Sequence, residues 1–195
     1  APARGRPEWL TARTREERWR RARREMARRG RPYQCVWCVG LMRKAGAPRL
    51  VEYNARFGDP ECQVLMMRRG AQAFDHIQAA AEGRLNEAKV HWADDHALTV
   101  VMAAKGYPAA YEKGTVIRGL EALPQSSSQM VFHAGTARSA ETVTAVGGRV
   151  RAVTARAATL AEAPRSAYDM PRPVDPPAGC HRATHVRRSV HSPCH

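Results

Sequence analysis

Val51-Glu52-Tyr53-Asn54-Ala55-Arg56-Phe57-Gly58-Asp59-Pro60-Glu61-Cys62-Gln63 is the stretch that decides how this chain is read. Val51 to Arg56 suits a strand. Side chains alternate along a strand, so Glu52, Asn54 and Arg56 share one face, while Val51, Tyr53 and Ala55 share the other. The polar face lines up a carboxylate oxygen, an amide oxygen and a guanidinium, a set suited to a hard cation carrying a phosphate ligand. On alternation alone the same face also suits an edge strand that meets water. Phe57-Gly58-Asp59-Pro60 breaks the strand, with Asp59 expected as an N-cap and Pro60 as the first-turn proline of a helix.

Outward from this stretch, Tyr33 to Met42 and Arg49 to Arg56 read as two neighbouring strands joined by a Gly46-Ala47-Pro48 turn. Pro60 to Met67 and Ala71 to Glu82 read as helices, the second closed by Gly83. Upstream, Glu16 to Arg29 is dense in helix formers and exits at Gly30 and Pro32. Downstream, Ala97 to Ala104, Thr115 to Ile117, Met130 to Phe132 and Arg149 to Thr154 are short strands, Gly106-Tyr107-Pro108 is a turn, and Thr159 to Tyr168 is a helix. Pro124 to Gln129 is a polar, serine-rich loop. Few helices among several short strands point to an α+β unit.

The 195 residues carry a net charge of +14, enough to raise the question of nucleic acid. The charge sits at the ends: residues 1–31 hold 12 Arg against 4 Glu, and residues 164–195 hold 5 Arg against 2 Asp. A basic nucleic-acid-binding module built on the Arg-rich N-terminal helix is the alternative function. It lacks a stacking platform or a groove-reading motif, so nucleic acid is not the expected partner. No apolar run is long enough to span a bilayer and no signal-peptide core is present, so a soluble, cytoplasmic setting without a membrane is expected. Nothing in the sequence marks an oligomeric state.

Five cysteines without framework spacing fit a reduced compartment. Cys35 and Cys38, three apart on the expected strand, face opposite sides and do not converge. Cys180, His181, His185, His191, Cys194 and His195 offer zinc-ligand chemistry, but with no paired-knuckle spacing and no apolar run to build a core around an ion.

Residues 49–67 closely resemble the signature of the phosphoribosylamine–glycine ligase (glycinamide ribonucleotide synthetase) family, which has the ATP-grasp fold. Gly40-Leu41-Met42, Val100 to Pro108, Tyr111 to Leu120, Val131 to Thr136 and Ala145 to Val150 resemble the same family, in the family's order. The resemblance runs from Glu25 to Tyr168 and covers the family's C-terminal half. It implies four segments: a basic leader over 1–24, disordered or helical; the C-terminal part of an ATP-grasp sheet over 25–92; a small α+β C-terminal domain over 93–170; and a disordered tail over 171–195. Cys35 and Cys38 stand where relatives usually carry glycine and an aromatic. Resemblance fades at both ends, which raises a partial or frame-disturbed coding sequence.

The resemblance also implies a chemistry. ATP as co-substrate, glycine and 5-phosphoribosylamine become glycinamide ribonucleotide, ADP and phosphate through a glycyl phosphate, with Mg2+ or Mn2+. Glu52 and Asn54 fall on the metal ligands. Arg56 is the candidate for a phosphate or the glycine carboxylate, and Asp59 shapes the turn with a substrate role open. No glycine-rich phosphate loop is found, so the chain by itself is not expected to ligate at a useful rate.

Overall fold

The computed structural model describes residues 8–44, 47–121 and 126–168. They form an α+β arrangement that divides into two compact units. The first takes residues up to Gly58 together with Ala71–Val90, and the second takes Asp59–Gly70 with the chain from His91 onward. Residues 1–7 of the expected 1–24 leader, and the expected tail from residue 171 with its cysteines and histidines, lie outside the described residues.

In the first unit, helix α1 (Glu8–Thr14) continues through a π-helical turn (Arg15–Arg20) into α2 (Arg21–Arg28). Thr14 and Arg20 keep right-handed helical angles, so the three run on as one helix. It therefore begins eight residues before the Glu16 expected from sequence. Carboxylates four residues from guanidinium groups hold it: Arg13 to Glu17 at 2.7 Å and Arg20 to Glu16 at 2.6 Å. Gly30, at φ +71, supplies the left-handed exit.

Strands β1 (Cys38–Lys44) and β2 (Ala47–Asn54) form an antiparallel ribbon. Both differ from expectation. Tyr33 to Trp37 precede β1, held in a local turn by the Tyr33 hydroxyl donating to the Val36 carbonyl at 2.9 Å. Cys35 is thus not on the strand at all, and the alternation argument for Cys35 and Cys38 does not apply. Ala47 and Pro48, expected in the turn, already pair with Lys44 and Arg43. A proline is tolerated there because each strand of a two-stranded ribbon has an open edge. Helix α4 (Gln72–Ala81) completes this unit, followed by Gly83 at φ +74.

The second unit opens with α3 (Glu61–Arg69), whose flanking residue is Pro60. Asp59 is therefore not the N-cap, because the chain turns once more at Asp59 and Pro60 before the helix begins. Strands β3 (His96–Ala103), β5 (Gln129–His133) and β8 (Arg149–Ala157) make a sheet in the order β3-β8-β5, and β4 (Thr115–Ile117), β6 (Thr136–Ser139) and β7 (Thr142–Ala145) a second in the order β4-β7-β6. Helix α5 (Glu162–Tyr168) packs Ala167 against Val100 and Ala155. Thr159 and Glu162 exchange hydrogen bonds at its start, a capping box. The core sits around β8, where Ala155 and Thr154 are fully buried and the Thr154 hydroxyl meets that of Thr99 at 2.8 Å. The β6–β7 hairpin was not expected. Its two-residue loop carries Ala140 at φ +50, where hairpins ordinarily announce themselves with Gly or Asn.

Candidate functional site

The β1–β2 register brings two of the four expected residues together. Glu52 lies opposite Gly40, and Asn54 opposite Cys38. Directly opposed residues share a face, so Glu52 and Asn54 stand side by side on one side of the ribbon. A Cβ on Gly40 would fall 2.9 Å from Glu52 Cγ and 3.6 Å from its Oε1. The Glu52 side chain therefore lies across bare backbone. Sequence reading noted Gly40 only as part of a motif; its position opposite Glu52 depends on a register that the sequence does not display.

On the other face, Tyr53 packs on Trp37 with ring centroids 5.1 Å apart, and Trp37 packs on Tyr33 at 5.5 Å. The expected apolar row is interrupted. A register shift between Gly40 and Leu41 leaves Val51 as the extra residue of a bulge, 63% exposed, and Ala55 lies beyond the strand.

Arg56 does not continue the polar row. The strand ends at Asn54, Arg56 sits in the bend after it, and its Nη1 donates to the Phe57 carbonyl at 2.8 Å. Asp59 belongs to the second unit, where Arg149 at the start of β8 holds it twice: Nη1 lies 3.3 Å from Asp59 Oδ2 and donates to the Asp59 carbonyl at 3.1 Å. Arg149 was not singled out from sequence. Both side chains are about half exposed, so the bond to the main-chain carbonyl, rather than the ion pair, fixes the turn. On α3, burial first and the Asp59 carboxylate second push the Cys62 thiol up, toward its protonated form.

Three of the motifs meet inside the second unit through glycines. The Gly135 N–H donates to the Arg149 carbonyl at 2.8 Å, and its own carbonyl accepts from Val146 at 2.8 Å and Gly147 at 3.0 Å. A Cβ on Gly135 would come 2.5 Å from the Gly147 Cα, and one on Gly148 would enter the Tyr107 ring. Backbone passes against backbone here, and only glycine permits it.

Among the described residues, no group of three or more His, Cys, Asp or Glu is placed to hold a metal ion, and no helix is long and apolar enough to cross a membrane.

Known proteins resemble the chain along most of its length. Residues 1–62 match the ATP-grasp (A) domain of phosphoribosylglycinamide synthetase, and residues 97–183 match the C domain of the same enzyme. The chain belongs to the phosphoribosylamine–glycine ligase family. The phosphoribosylamine–glycine ligase of Brucella melitensis is 46% identical over 181 residues, covering 93% of this chain and 42% of that protein. That of Rhizobium meliloti is 49% identical over 160 residues, covering 82% and 37%. The crystal structure of the Thermotoga maritima phosphoribosylamine–glycine ligase superposes with a TM-score of 0.62 at 32% identity, over 75% of this chain and 35% of that one. The chain thus spans well under half the length of these relatives.

The family likeness is longer than the 25–168 expected. It starts at residue 1 and extends to residue 183. The Arg-rich helix therefore lies within the ATP-grasp match, and the nucleic-acid alternative has no support.

Proposed function

We propose that this chain carries the metal-bearing strand and the C-terminal domain of an ATP-dependent ligase that joins glycine to 5-phosphoribosylamine. The observation that carries the reading is the Glu52 side chain laid across Gly40 beside Asn54, within motifs in family order. Division at residues 92 and 93 into an ATP-grasp part and a small C-terminal domain belongs to the same proposal, supported by the separate matches over 1–62 and 97–183. So does a cytoplasmic setting.

The donor set fits the metal such a reaction uses. A carboxylate oxygen and an amide oxygen are hard ligands, suited to Mg2+ or Mn2+, and two protein ligands leave the other octahedral positions to phosphates and water. A side chain at residue 40 would fill the space that Glu52 occupies. When bound, the metal neutralises charge on the transferring phosphoryl group.

In the reaction proposed, a glycine carboxylate oxygen attacks the γ-phosphorus of ATP, the bond to the β–γ bridging oxygen breaks, and ADP leaves. The amine of 5-phosphoribosylamine then attacks the acyl carbon of glycyl phosphate and loses a proton, and phosphate departs with the bonding pair. Glu52 and Asn54 hold the metal. Arg56 uses Nε and Nη2, left free by its bond to Phe57, to grip a phosphate or the glycine carboxylate. Asp59, anchored by Arg149, fixes the turn that follows.

A chimera tests this. Residues 25–168 would replace the matching part of the Brucella melitensis relative in a strain lacking its own ligase. Growth without purines, and ADP release requiring both glycine and phosphoribosylamine, are expected. Glu52→Gln should abolish both. A soluble, monodisperse chimera with neither activity overturns the proposal.

A further inference from the structure

We propose that the first unit holds a second ligand site, behind the ribbon, that takes a planar heteroaromatic anion of nucleotide type. A cavity of about 600 Å3 opens there, within the range of small-molecule sites. Trp19, Trp37 and Tyr33 form its walls, and Arg23, Gln34 and Asn86 give it polar edges.

Each part of the chemistry has its own observation. Flat aromatic walls favour a flat ligand, because stacking is sequence-tolerant and needs only a π-face. Trp37 packs against both Tyr53 and Tyr33, and the Tyr33 hydroxyl donates to the Val36 carbonyl, so this wall is preformed. Trp19 is carried by the π-helical turn Arg15–Arg20, an irregularity that recurs at functional sites. Gly83, at φ +74, leaves the space beside Gln34 open.

The charge of the ligand follows from Arg23. Among the described residues Arg23 has no carboxylate within 4 Å; Arg15, Arg18 and Arg21 of the same helix share that condition, but of these arginines only Arg23 lines the cavity. No Asp or Glu lines the cavity. Glu82 and Glu87, which flank it in sequence, are both engaged by Arg84. A guanidinium without a counter-charge at the rim of an aromatic slot recognises a phosphate or carboxylate attached to a ring system. The side chains of Glu52 and Asn54 occupy the opposite face of β2 from Tyr53, so this site is separate from the proposed metal face.

Calorimetry and tryptophan fluorescence on the 195-residue chain, with adenosine 5′-monophosphate as probe, test the proposal. Saturable binding is expected, with adenosine about tenfold weaker for want of the charge-assisted bond, and ribose 5-phosphate weaker still for want of the ring. Arg23→Ala should bring the monophosphate down to the adenosine level and leave adenosine unchanged. Trp19→Leu should weaken both. The monophosphate should slow alkylation of Cys35, which lines the cavity, and not that of Cys62. Glu52→Gln should change none of this, so failure here leaves the ligase reading intact. Absence of saturable binding, equal affinity for nucleotide and nucleoside, indifference to Arg23→Ala, or loss of binding in Glu52→Gln would each overturn it.

Discussion

Replacing Arg151 by leucine should make the protein more stable. Arg151 is 4% exposed, on the central strand β8 between Met102 of β3 and His133 of β5. Its Nη1 is buried without a hydrogen-bond partner, and among the described residues no carboxylate pairs with it. Burial pushes its pKa down, yet a guanidinium stays charged at neutral pH, so a desolvated cation sits in the sheet uncompensated. An unsatisfied buried polar group costs about 1–3 kcal/mol. Leucine removes that cost and keeps most of the apolar stem, and the loss of some packing trims the net gain to about 1–2 kcal/mol. For a unit of this size each kcal/mol moves Tm by about 4–8 °C, so a rise of about 4–16 °C is expected. Thermal unfolding followed by circular dichroism, with urea titration as the second measure, provides the assay. Arg151→Ala is the contrast, because it removes the charge but also the stem and should gain much less. A leucine variant less stable than the parent by 1 kcal/mol or more would refute the reasoning, since it would mean that the guanidinium has a stabilising partner.

Other consequences are as direct. Thr154→Val leaves the Thr99 hydroxyl without its 2.8 Å partner and should cost about 1–2 kcal/mol, while Thr99→Val with Thr154→Val should cost less than the two single changes added, as a double-mutant cycle in urea would show. Glu25 is held at about 2, well below 4.5, by hydrogen bonds from Arg28 and then Arg29. A depressed carboxyl stabilises the fold above its unfolded value and stops doing so as pH falls through the folded one, so helicity at 222 nm should drop between about pH 4.5 and 2, and Glu25→Gln should flatten that step. Gly40→Ala forces the exposed Glu52 side chain aside and should change stability by less than about 1 kcal/mol. In the chimera it should nevertheless raise the Mn2+ concentration needed for half-maximal ADP release about tenfold, a displacement worth about 1.4 kcal/mol. Parent-like Mn2+ dependence would mean that Glu52 does not need the space over Gly40.

What could be read from the sequence depended on whether the deciding force was local. That Glu52 and Asn54 share a face of β2 was legible because alternation is a property of one strand. The bulge at Val51 was not, since it arises from how β2 meets β1 and no residue in 49–56 signals it. Arg56 was assigned to the strand by the same alternation, but the ladder ends at Asn54 and its guanidinium turns to the Phe57 carbonyl. Helix α4 and the Gly83 exit were legible from standard end signals. The start of α1 was missed because no end signal stands at Glu8 to Thr11, and the ion pairs along the helix, Arg13 to Glu17 and Arg20 to Glu16, lie further along the chain. The hairpin of β6 and β7 was hidden by Ala140 in a conformation that alanine rarely adopts. The alternating run at Arg149 to Thr154 gave the strand, but not that Arg151 would be inside: burial is decided by what packs on the sheet.

The same distinction explains why the ribbon identifies the family more readily than it accounts for activity. On the proposed reading, a carboxylate and an amide would supply two ligands to a cation that takes six, and a largely exposed ribbon does little to exclude water from the rest. Their value would lie in position, because an ion held there would become useful once phosphate oxygens completed its shell and a closed site stripped the surrounding water. The second unit contributes rigidity of another kind. Arg149 starts the strand that runs through the core and also grips the turn at Asp59, so the turn at Asp59 is tied to the best-buried part of the second unit. Selection can therefore act on Glu52 and Asn54 through chemistry, and on Gly135, Gly147, Gly148 and Arg149 through the close packing that keeps that anchor in place.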